Sequence, residues 1–79
     1  MAVSVLEQGA LILEARRSAL LQCAELLTAG DEEGASEEAE LFGDIYEAIT
    51  GKRLAQDVIN KLLDRAAVLA LFSAQEPAQ

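Results

Sequence analysis

Apolar residues recur in the first third of the chain at alternating spacings of four and three: Leu6, Ala10, Leu13, Arg17, Leu20, Ala24 and Leu27. This is the seam of a helix that packs by heptads, with leucine at every d-type position and Val3, Ala10, Arg17 and Ala24 at a. A second apolar row, Val5, Ile12, Ala19 and Leu26, runs beside it, and Leu11, Leu21 and Cys23 widen the surface. A surface helix of a monomer normally has one apolar stripe and one polar face. Here the polar residues do not gather, so the spacing predicts a helix over 4–29 with neighbours on two sides. Ser4-Val5-Leu6-Glu7 reads as a capping box, and Gly30 is a C-terminal stop. Gly9 is either tolerated near the helix end or marks the close approach of another helix.

The next pattern is cleaner. Leu41, Phe42, Ile45, Ala48 and Ile49 fall on one helical face, which predicts a short acidic helix over 37–50. Ser36 is the expected N-cap, with Asp31 as the alternative, and Gly51 is the expected left-handed stop. The polar stretch Gly30 to Ser36 suits a turn between antiparallel helices. A third helix is predicted over 53–74 from Leu54, Val58, Leu62, Leu69 and Phe72, with Ala55, Ile59, Leu63 and Ala66 beside them. Its run Ala66 to Phe72 has no polar face and asks for cover from more than one side. Residues 76–79 read as a disordered tail after a single helical domain over 1–75.

Composition strengthens the case for a partner. The 79-residue chain is 52% hydrophobic but only 4% aromatic, so its apolar surface is mainly aliphatic. A chain this short buries only about 60% of the surface that its unfolded form exposes. Small domains make up the shortfall with disulfides, a metal or oligomerisation. A lone Cys23 cannot pair within the chain, and with no histidine a zinc site would rest on carboxylates. Oligomerisation or another protein remains. The expected architecture is therefore an all-α three-helix bundle or helical hairpin with a short acidic middle helix, completed by oligomerisation. Leu41, Phe42, Ile45 and Ile49 are expected to fill one end of the groove between helices one and three.

The net charge is −8, and residues 31–50 hold eight acids and no base. That balance argues against direct nucleic-acid binding, which uses Lys and Arg to displace counterions. No apolar run reaches the roughly 20 residues of a membrane span, and Glu7 breaks any secretion signal. With one cysteine, a cytoplasmic setting is expected.

Candidate chemistry is thin. Cys23 sits among apolar neighbours without a histidine to activate it. Asp31 to Glu40 lacks the register of a calcium loop, with Gly34 fourth instead of sixth. Gly51-Lys52-Arg53 lacks the upstream glycine and strand of a phosphate loop. An acyl-carrier role needs serine in an Asp-Ser-Leu context, and Ser36 stands in Ala-Ser-Glu. The expectation is a non-enzymatic protein without metal or cofactor. Ile12, Arg17, Ala19, Leu26, Val68, Leu69, Leu71 and Phe72 are the candidate interface to a second copy or another protein. Arg17, a base in a leucine seam, either sets register or lays its stem over apolar surface with its head in water. Glu37, Glu38, Glu40, Asp44 and Glu47 are a candidate acidic surface, able to imitate a run of phosphates and occupy a basic groove.

Overall fold

The computed structural model describes residues 4–75, with the side chains of 74 and 75 outside the description; the expected tail over 76–79 and Val3 also lie outside it. Three helices follow one another: α1 Val5–Thr28, α2 Glu32–Thr50 and α3 Gln56–Gln75. The all-α three-helix bundle expected from the periodicity is the fold.

The ends of α1 form for the reasons its sequence gives. Ser4 is the N-cap, its hydroxyl accepting from the Glu7 amide at 3.1 Å and donating to the Glu7 carboxylate at 3.2 Å. At the far end Gly30 takes a positive φ of 84°, and its amide donates to the Leu27 carbonyl. The Asp31 amide donates back to the Leu26 carbonyl at 2.8 Å, which completes a Schellman motif.

Asp31 then begins α2. Its carboxylate accepts from the Gly34 amide at 2.9 Å, so Asp31, not Ser36, is the cap, and α2 starts five residues before the expected 37. The polar stretch expected as a turn is mostly the first turns of α2. Gly51, at φ 75°, ends that helix as expected. The chain returns through Lys52 to Ala55, with Leu54 against the core, and α3 begins at Gln56 instead of 53.

The α1 helix is central: it packs along both others, which touch each other over less surface. It runs as a long neighbour of both α2 and α3. Cys23 on α1 donates to the Ala35 carbonyl of α2 at 3.3 Å, which fixes the antiparallel register. The close approach of α2 and α3 is at Gly43, where an added Cβ would lie 3.0 Å from Ile59 Cδ1. Nothing in this chain lies within 4 Å of a Cβ built at Gly9, so neither α2 nor α3 makes the close approach there.

The core consists of Ala19, Cys23, Ala35, Ala39, Phe42, Ile59, Leu62 and Ala66. Ile12, Leu20, Leu26 and Leu27 pack partly buried around it. From Ile12 onward the second row of α1, with Ala19 and Leu26, therefore packs on the chain's own core, while Val5 at its start is exposed. Leu41 and Ile45 stay exposed, and of the four residues expected to fill the groove only Phe42 is buried. The molecule is elongated, with a radius of gyration of 14.0 Å against about 11.6 Å for a compact chain of this length.

Candidate interaction surface

The leucine seam of α1 divides. Leu6 and Leu13 are 87% and 67% exposed, whereas Leu20 and Leu27 pack against the core. A straight helix turns a heptad seam by about 20° per repeat, so four leucines in register do not stay on one neighbour. The reach of α3 adds to this. Gln56 at its start donates to the Glu40 carboxylate on mid-α2 at 3.1 Å, and its last turns lie beside Leu21, Ala24 and Thr28 of α1. The first turns of α1 lie beyond α3.

An uncovered stripe results along α1: Leu6, Ala10, Leu13 and Arg17, all exposed. It leads into a groove of about 500 Å³ between α1 and α3, lined by Leu21, Ala24, Leu69 and Phe72 with Glu25, Thr28 and Ser73 at its edges. A shallower hollow on the other flank of α3 holds Leu71 with Leu27, Ala67 and Ala70.

The structure thus separates the candidate interface. Arg17, Leu69 and Phe72 border the stripe and its groove, and Val68 and Leu71 are exposed elsewhere on α3. Ala19 is buried, and Ile12 and Leu26 pack inward; these three are not on the outer surface proposed for contact. Leu6, Leu13 and Leu21 belong to it instead. The drift of the heptad separates Leu6 and Leu13 from Leu20 and Leu27, whereas Leu21 lies on a different line of the helix.

Three further large apolar residues, Leu11 on α1 and Leu41 and Ile45 on α2, are also exposed.

The acidic candidates also divide. Glu37, Glu40, Asp44 and Glu47 follow spacings of three and four, are exposed, and form one outward stripe that Glu33 extends. Arg53 lines one cleft together with Glu40, Asp44 and Glu47. Glu38 sits apart, half-buried toward α1. Burial, and then the nearby Glu38 charge, push the Cys23 thiol above its ordinary value of 9.0. A buried thiol held protonated is a packing group and a weak nucleophile. On the opposite side Arg16, Lys61 and Arg65 surround a small hollow over Phe42 and Leu62.

Among the described residues no three side chains converge as metal ligands, and no helix is long and apolar enough to cross a membrane. No family model matches the chain, and comparison with characterised proteins and with solved structures finds no match.

Proposed function

We propose that this protein is a non-catalytic interaction module that binds polypeptides through apolar helix faces, as a homodimer or within an obligate complex. Adaptors, co-chaperones and inhibitors work in this way. The observation that carries the reading is an inverted distribution of side-chain size. Four of the eight core residues are alanine, while Leu6, Leu13, Leu21, Leu71 and Phe72 stand more than half exposed. Contiguous apolar surface on a soluble chain marks a contact site. Burying one such side chain contributes about 1.5–3 kcal/mol, so covering several stabilises a complex strongly. The lone, protonated Cys23 suits a reducing compartment such as the cytoplasm.

Immobilised protein, compared with its Leu69→Asp and Phe72→Asp variants over a salt series, tests the reading. Apolar docking persists as salt rises and is lost in both variants. Unchanged binding by both variants would sink the idea. The acidic stripe supports a second reading, an electrostatic decoy for a basic groove on a nucleic-acid-binding protein. Binding of that kind collapses between low and moderate salt and is lost with Glu40→Lys and Asp44→Lys.

A further inference from the structure

We propose that the α1 stripe is closed by a second copy of this chain lying antiparallel, with Leu6 of each copy seated in the Leu21–Phe72 groove of the other. This rests on the interaction reading above and names the partner for this face.

Area is the first argument. The chain exposes 5932 Å², against about 4,600 Å² for a compact monomer of 8.4 kDa. Leu6, Leu13, Leu21 and Phe72, each more than half exposed, place apolar surface on this face. Charge is the second. A parallel, in-register pair would set Arg17 against the partner's Arg17 on an apolar seam. An antiparallel pair sets Arg17 against the partner's Glu14, and does so twice by symmetry. Fit is the third. In that register Ala10 comes level with the partner's Leu20 and Leu21, and Leu6 comes level with the partner's Ala24, on the groove lining. Large residues meet small ones toward the two ends of the pairing, and at its centre Leu13 lies level with the partner's Arg17, whose aliphatic stem can cover it. Glu7 and Glu25 stay at the wet rim. The stripe is turned away from α2, so the two acidic helices lie on opposite outer sides of the pair.

Light scattering on the full chain at micromolar concentration is the test. The expected mass is twice 8.4 kDa. Arg17→Glu places like charges together and weakens the dimer tenfold or more. Adding Glu14→Arg restores it, because each swapped pair is again complementary; a parallel pair would not recover. Leu6→Asp also dissociates the dimer, and circular dichroism checks that each variant keeps its helices. A dimer indifferent to Arg17→Glu and Leu6→Asp overturns this face. A monomer that binds an apolar dye, and loses it with Phe72→Asp, overturns self-pairing but keeps the interaction reading. A monomer that binds no dye overturns both.

Discussion

The two halves of α1 carry the same leucine repeat and meet opposite fates. In the C-terminal half, Leu20 and Leu27 close over a core built by Ala19 and Cys23. In the N-terminal half, Leu6 and Leu13 face outward. Nothing in the residue types separates them. The difference comes from the turn of the seam with each heptad and from where α3 starts, both consequences of geometry and not of composition. A repeat therefore says that a helix has an apolar face, and the neighbours' lengths say how much of it the same chain can cover.

The sharpest way to break this comparison is through the two phenylalanines. Phe42→Ala should cost about 3–5 kcal/mol, because Phe42 is 4% exposed and spans the core. That is most of the stability of a domain this small. Phe72→Ala, at 63% exposure, should move the monomer's thermal midpoint little and act on association instead. Equal losses on thermal unfolding would mean that the groove is part of the core.

The leucines give the next contrast. Leu20→Asp should cost about 3 kcal/mol or more by burying an unpaired charge. Leu13→Asp, one heptad earlier, should change monomer stability by no more than about 0.5 kcal/mol. Urea titration of both variants at low protein concentration would tell them apart.

Cys23 makes a pH-dependent version of the comparison. Its thiol is held protonated in the fold, so the unfolded chain releases that proton first as pH rises. The stability it provides is complete below the ordinary value of 9.0 and falls as pH climbs toward the raised folded value. Cys23→Ala should flatten this alkaline slope; an unchanged slope would assign it to other groups. The smallest expected effect is a gain. Gly9 is exposed, helical and free of neighbours, so Gly9→Ala should stabilise by about 0.5–1 kcal/mol.

Much of the frame was legible. The bounds of α1, its Ser4 cap, and the stops at Gly30 and Gly51 follow from local chemistry that acts within a few residues. The start of α2 was misread because the polar stretch Gly30 to Ser36 reads as a turn with Ser36 as the cap, whereas the Asp31 carboxylate takes the Gly34 amide and starts the helix within it. The core was misread for a different reason. Pattern reading ranks large side chains as interior, so Leu41 and Ile45 drew attention while Ala35 and Ala39 did not. In a bundle whose helices approach closely, small residues sit at the contact and larger ones are pushed to the flanks. Gly43 against Ile59 is the same effect between α2 and α3. Of the residues assigned to a partner, Leu69, Phe72 and Arg17 lie on the outer surface, while Ile12, Ala19 and Leu26 pack on the chain's own core.

One junction has kinetic weight. The amide of Asp31 closes the last turn of α1 while its carboxylate opens the first turn of α2. Neither helix end can fray without loosening the other, so the hairpin opens as a unit. Such local pairing forms early, before distant segments meet. Hydrogen exchange at Asp31 and Gly34 should then rise and fall together, at a rate set by the pair of helices and not by the turn.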